Sequence, residues 1–185
     1  MNFYISDTHF GHENVIGFDK RPFTSVEEME YTMTELWNAR VRTEDDVYIL
    51  GDMVFKRDKS PYELIRRLNG RKHLVIGNHD VNNIMKNRKT MELFVSAEQM
   101  MTIKDGDKRI VLCHYPILEW DGCYGETIHI YGHIHNRKER AWKIMSSLEN
   151  CYNAGCMINN YMPVTLNELI KNNRLFNEKA VEESD

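Results

Sequence analysis

Val47-Tyr48-Ile49-Leu50-Gly51-Asp52 is a short apolar run that ends on a glycine and a carboxylate. Four apolar residues are too few for a buried helix, and a turn residue stops them, so the stretch reads as a buried strand that delivers Asp52 into a loop. The same pattern occurs on either side of it. Asn2-Phe3-Tyr4-Ile5-Ser6 runs into Asp7-Thr8-His9-Phe10-Gly11-His12, and His73-Leu74-Val75-Ile76 runs into Gly77-Asn78-His79-Asp80. Helical patterns separate these strands. Thr24 with Glu27 forms a capping box, and Val26, Met29, Met33, Leu36, Trp37 and Val41 recur at helical spacing, which predicts an amphipathic helix over 25–42 with its stripe in the core. Ser60 with Glu63, and Pro61 at the first helical position, predict a second helix that carries Leu64, Ile65 and Leu68 and stops at Asn69-Gly70.

Beyond residue 80 the alternation weakens. Residues 99–104 and 108–113 read as a hairpin turning on Asp105-Gly106, with its second strand ending at His114-Tyr115-Pro116. Residues 127–131 form a further strand ending at Gly132-His133-Ile134-His135, and residues 149–153 one more. Thr165 with Glu168 caps a short last helix, and residues 177–185 read as a polar tail. Strand-helix-strand units favour parallel pairing and the hairpin favours antiparallel pairing, so a mixed-sheet α/β fold is expected. There is no repeat, low-complexity tract or Gly/Ser linker, and residues 1–176 read as one domain.

The 185 residues, 42% hydrophobic and 28% charged, have the composition of a soluble globular domain and exclude collagenous, coiled-coil and wholly disordered readings. The formal charge of -4 argues against non-specific binding to nucleic acid or anionic membranes. No apolar run approaches the roughly 18 residues that span a bilayer, and the run from Met1 to Ser6 meets Asp7 too early for a secretory segment, so a cytoplasmic location is expected. Cys113, Cys123, Cys151 and Cys156 form no Cys-x-x-Cys pair and are expected to be reduced and structural.

The chemistry is concentrated at five strand ends, which carry Asp7 and His9, Asp52, Asn78 and His79, His114, and His133 and His135. Open α/β sheets place their ligand sites there. Oxygen and imidazole donors without thiolate suit a hydrolytic centre of Mn, Fe, Zn or Ni character, with manganese favoured, and do not suit a structural zinc site. Residues two apart on extended chain point the same way, so Asp7 and His9 can share one ion, and His133 and His135 can serve neighbouring ions. Adjacent residues point apart, so Asn78 can face a metal while His79 faces substrate. One carboxylate between two ions, Asp52 by its position, would hold them roughly 3.5 to 4 Å apart.

These blocks, Asp-x-His, Gly-Asp, Gly-Asn-His-Asp, His and Gly-His-x-His, occur in the order found in the calcineurin-like metallophosphoesterase superfamily, which the chain resembles from Asp7 to His135. The opening Ser6-Asp7-Thr8-His9-Phe10-Gly11-His12 is similar to that of a compact bacterial and phage branch. The resemblance implies two mixed β-sheets packed face to face with helices outside. It implies that Asp7, His9 and His135 bind one divalent ion, that Asn78, His114 and His133 bind a second, and that Asp52 bridges them. His79 would remain unligated and act on the phosphate and its leaving oxygen. The implied activity is hydrolysis of phosphate esters by hydroxide activated between two metals; a diester's single negative charge, against a monoester's two at an open site without an evident arginine clamp, makes small phosphodiesters the expected substrates. The rivals are a nuclease acting on nucleic-acid ends and a non-catalytic scaffold of the same fold.

One position departs from that pattern. Where many members carry an Asp that orients the catalytic histidine, this chain has Phe55, and Asp80 and Asp58 are the candidate substitutes. His12 is a candidate substrate contact, with a loop hydrogen bond as the alternative. His73 and His129 sit in apolar strands and read as structural. Arg21, Lys56, Arg57, Lys86, Arg88, Arg137 and Lys138 are expected on loops around the site, mostly solvated.

Overall fold

The computed structural model describes residues 1–55 and 60–182, with side chains through Glu178. Lys56, Arg57 and Asp58 lie outside the described residues. In chain order the elements are β1 (Asn2–Ile5), α1 (Glu13–Phe18), α2 (Val26–Arg40), β2 (Asp46–Ile49), α3 (Pro61–Ile65), β3 (Arg71–Val75), α4 (Asp80–Asn83), α5 (Arg88–Met91), β4 (Phe94–Glu98), β5 (Met100–Asp105), β6 (Lys108–Cys113), β7 (Ile128–Tyr131), α6 (Arg140–Met145), β8 (Cys151–Asn153) and α7 (Leu166–Glu182).

The strands form two four-stranded sheets, ordered β1-β2-β3-β4 and β5-β6-β7-β8. The first is parallel throughout, because each of its connections carries helix or turn enough to cross over. In the second, the β5-β6 hairpin is antiparallel while β6, β7 and β8 run parallel, so it alone is mixed.

Side-chain alternation builds the layers. Phe3, Ile5, Val47, Ile49 and Leu74 face one way and pack with Val15 of α1, Met29, Met33 and Trp37 of α2 and Leu64 of α3. Tyr4, Leu50 and Val75 face the other way, onto Ile110, Leu112, Ile128 and Ile130 of the second sheet. Val111 and Tyr131 turn outward beneath Trp120 and Met145. The result is the expected sandwich of two sheets with helices on its outer faces, except that one sheet is wholly parallel where both were expected to be mixed. The outer edge of β1 is also covered, since Tyr4 and Ser6 donate to the carbonyls of Val164 and Ala154.

Several local expectations change. The cap of α2 lies one residue later than read: Ser25 accepts from the Glu28 N–H, and the Glu28 carboxylate accepts from the Thr24 N–H. Glu63 pairs with Arg66 and leaves Ser60 to cap the Tyr62 N–H at 3.4 Å, and α3 ends at Ile65, short of Asn69. The hairpin turns on Gly106-Asp107, where Gly106 has φ +61. The last helix is long and runs through residue 177 to Glu182. All four cysteines are free, three of them buried. No helix among the described residues is long and apolar enough to cross a membrane.

Candidate metal centre

The C-terminal ends of β1, β2, β3, β6 and β7 converge, and the loops that follow them carry every candidate ligand. Backbone bonds tie these loops together: the Asp7 and His9 N–H groups donate to the carbonyls of Gly51 and Asp52, and Gly132 N–H donates to His114 O at 2.9 Å. Close approach needs glycine. Gly51 has φ +83, and a Cβ there would lie 2.8 Å from the Gly77 backbone; a Cβ at Gly132 would lie 2.7 Å from Asp7 Oδ2.

Asp7, His9, Asp52, His133 and His135 themselves have φ of 54, 48, 52, 70 and 56°. Left-handed backbone is uncommon for residues other than glycine, and here it falls on five of the seven candidate ligands. Asp7 and His9 do come together, but through two left-handed turns and not through the extended alternation expected from the sequence.

Two donor sets result. Asp7, His9 and His135 form one and Asp52, His114 and His133 the other, each with donor atoms within 4.8 Å of one another. In the first, His9 Nε2 is 3.2 Å from His135 Nε2, which is 3.5 Å from Asp7 Oδ1. In the second, His114 Nε2 is 3.1 Å from Asn78 Oδ1 and 3.6 Å from Asp52 Oδ2. Asp52 Oδ2 also lies 3.7 Å from His9 Nε2, so one oxygen stands at nearly equal distance from both sets. Ligands held about 2.0 to 2.2 Å from one ion are roughly 3 to 3.6 Å from each other, so these spacings fit the edges of coordination polyhedra.

The neighbours of these donors fix their orientation. His114 Nδ1 donates to Leu50 O at 2.8 Å, which leaves Nε2 as the free donor atom. His135 Nδ1 lies 2.8 Å from Asp19 Oδ1, and Asp19 is in turn bonded by Nε and Nη2 of Arg21 at 3.1 and 2.9 Å. The same guanidinium donates to the carbonyls of Thr8 and Asp7. Arg21 is thus buried beneath the centre, not solvated on its rim, because three backbone and carboxylate acceptors replace its water. The Asp7 carboxylate accepts from Ser6 Oγ and from the His133 N–H at 3.0 Å. Asn153, at the end of β8, donates to His135 O at 2.8 Å.

Asp80 does not orient His79. Its wholly buried carboxylate accepts from the Asp52, Met53 and Gly77 N–H groups at 2.8, 3.0 and 2.8 Å, pinning the β2 loop to the β3 loop. Burial, only partly offset by these bonds, raises its pKa to about 6. The His79 ring stands edge-on to Phe55 and to His9 at 4.9 and 5.4 Å, with Nε2 3.9 Å from Asp52 Oδ2. Phe55 thus gives an apolar wall where the usual pattern has a carboxylate. His12 stacks on Phe55 at 3.8 Å, and its buried Nδ1 has no partner among the described residues, so that nitrogen does not make the loop hydrogen bond that was the alternative reading.

Burial, with His135 nearby, lowers the pKa of His9, and burial beside His114 lowers that of His133, so both are held in the neutral form that binds metal. His135 is raised: burial opposes protonation, but its bond to Asp19 and the Asp7 charge outweigh it. Asp52 is raised by burial, with the Asp7 charge adding to it. His73, between Ser96 and Asp46, and His129, on Val111 O, are structural as read. Lys86 and Arg88 are exposed.

Sequence reading missed Asp19, Asn153 and the role of Arg21. The Asp19-x-Arg21 spacing after a short helix was the available signal for the buried pair; Asn153 carried none.

The uncharacterized protein MJ1445 of Methanocaldococcus jannaschii is 32% identical over 175 residues, covering 91% of this chain and 89% of that protein. The chain belongs to that protein's family. No protein-family model matches it. The gene 66 protein of Mycobacterium phage L5 is 32% identical over 80 residues, 42% of this chain and 38% of that protein. The crystal structure of the protein of unknown function AQ665 from Aquifex aeolicus is 28% identical, covers 92% of this chain and 98% of that one, and has a TM-score of 0.70. The ordered motif blocks and the two donor sets they build are the features in which the chain resembles the calcineurin-like metallophosphoesterase superfamily.

Proposed function

We propose that the protein is a phosphoesterase with a two-ion centre, and that it hydrolyses small phosphodiesters in preference to monoesters. The observation that carries this reading is the position of Asp52 Oδ2, 3.7 Å from His9 Nε2 and 3.6 Å from His114 Nε2. Asp7, His9 and His135 would hold one ion, Asn78, His114 and His133 the other, and Asp52 both. Two divalent ions, when bound, lower the pKa of water to make it a nucleophile and neutralise charge on the phosphoryl oxygens.

The chain's own residues do the rest. Asp19 and Leu50 O hold the rings of His135 and His114 so that both Nε2 atoms face inward. His79, 38% exposed at its side chain, is positioned by Phe55 and His9 at the open side of the centre, where its Nε2 can hold the proton that a departing alkoxide takes. A diester carries one negative charge and a monoester up to two. Arg21, the arginine beneath the donor sets, is spent on Asp19 and offers no clamp for a dianion. A metal-by-substrate screen on protein purified without chelator tests the proposal, with manganese expected to support the highest rates. The expected result is metal-dependent hydrolysis with the higher kcat/KM on aryl diesters. Higher kcat/KM on monoesters across all active metals would refute the diester preference, and no hydrolysis under any metal loading would refute the activity.

A further inference from the structure

A cavity of about 580 Å³ opens beside the second donor set. Its walls include Tyr115, Pro116, Ile134 and Trp142, and Arg137 and Arg140 stand among its lining residues. It is continuous with the centre, because His133 is also a lining residue and the Tyr115 ring lies 4.7 Å from His133 and 5.0 Å from His114. Neither arginine has an ion-pair partner among the described residues, and both are exposed; the lining carboxylate is Glu139. Two aromatic rings and two uncommitted guanidinium groups suit a planar heterocycle with acceptor oxygens.

The cavity's flank decides which part of the substrate it meets. His79 packs against His9 and Phe55, on the side of the first donor set, whereas the cavity opens on the side of His114 and His133. A leaving group served by His79 therefore departs from one flank, and the ester arm that stays on phosphorus lies toward the other. We infer that this cavity is the subsite for the retained arm of a phosphodiester, and that the arm it takes is a nucleoside. The inference rests on the phosphodiesterase reading and extends it to substrate class. A monoester has no second arm, so the subsite also supplies a physical reason for diester preference.

Two esters with the same leaving group isolate the retained arm: thymidine 5′-(4-nitrophenyl) phosphate and methyl 4-nitrophenyl phosphate. The expected ratio of their kcat/KM values in the metal-loaded wild type is roughly 5- to 100-fold in favour of the nucleoside, the range that stacking one base on an aromatic side chain supports. Trp142→Leu should bring the ratio toward one. Trp142 also donates to Asn177 at 3.0 Å, so Arg137→Ala with Arg140→Ala serves as a second variant at exposed positions, and it should lower the same ratio. A wild-type ratio near one, or a ratio that neither variant changes, overturns the subsite and leaves the phosphoesterase standing. No hydrolysis of either ester overturns the phosphoesterase; titration of metal-free protein with thymidine 5′-monophosphate then decides the subsite, a shift of the Trp142 indole N–H signal supporting it and an unmoved signal at millimolar nucleotide overturning it.

Discussion

Asp19→Asn separates what holds the fold from what holds metal. In the wild type Asp19 and Arg21 are both completely buried at their side chains, and Asp19 Oδ2 takes two guanidinium bonds. Breaking a buried ion pair by neutralising one partner costs about 3 to 5 kcal/mol. Asparagine keeps the volume and one acceptor, and Arg21 keeps the carbonyls of Thr8 and Asp7, so the lower end, about 3 kcal/mol, is expected. For a chain of this length that is a fall in Tm of roughly 6 to 12 °C. The metal effect is separate. Asp19 makes the His135 ring a better donor and fixes its tautomer, and losing such a partner costs roughly 10- to 100-fold in affinity.

Calorimetric titration of metal-free protein with Mn²⁺ should therefore show one of two binding steps weakened by that factor and the other nearly unchanged, since His114 is oriented by Leu50 O and not by Asp19. His114→Ala should weaken the other step. Adding Arg21→Met to Asp19→Asn should lower the Tm further, because the buried carbonyls of Thr8 and Asp7 then lose their donor, and should recover none of the affinity. Equal weakening of both steps, or a fall in Tm with both affinities intact, would refute the division of labour.

Replacing Asp52 with alanine should abolish or weaken both binding steps together; elemental analysis showing full occupancy of two ions in that variant would sink the bridging role. His79→Ala should retain its ions and lose roughly 10²- to 10⁴-fold in kcat on an alkyl ester but much less on a 4-nitrophenyl ester, whose leaving group needs no proton. Similar losses on both esters would make His79 a stabiliser of phosphoryl charge instead. Gly51→Ala should cost at least about 1 to 2 kcal/mol from its left-handed φ alone, with more from the contact at Gly77, measurable as a lower midpoint in urea; an unchanged midpoint would mean that the two loops are not tightly apposed.

The strands were legible because they are short apolar runs with abrupt ends, and alternation within them, as in Phe3, Tyr4 and Ile5, marks two faces that must both be covered; that they form two sheets packed face to face came from the resemblance. What was not legible was set by competition between local signals. Glu63 could cap with Ser60 or pair with Arg66, and only the geometry after Ile65 selects the second. The strand β4 was missed because Phe94–Glu98 alternates weakly and none of its residues is fully buried, so its sequence shows no apolar face. Arg21 was read as solvated because arginine usually is, and a sequence does not display the carbonyls of Thr8 and Asp7 that replace its water.

The centre shows the same division more sharply. Which residues could bind metal followed from type and order alone, whereas the means of bringing them together did not. An extended Asp7-Thr8-His9 would aim both side chains alike, yet both residues are left-handed, as are Asp52, His133 and His135. Each such residue costs of order 1 to 3 kcal/mol, so the five together would unfold a loosely tethered loop. They persist because other groups over-determine them. Asp80 clamps three backbone N–H groups, Arg21 holds two carbonyls, and the Asp7 carboxylate takes the His133 N–H. Asp80 and Arg21, which supply most of those tethers, bind no ion in the proposed scheme. The strain is thus carried by the loops' own hydrogen bonds before any metal arrives, and the two donor sets stand preorganised around Asp52 at spacings an ion can use without moving the chain.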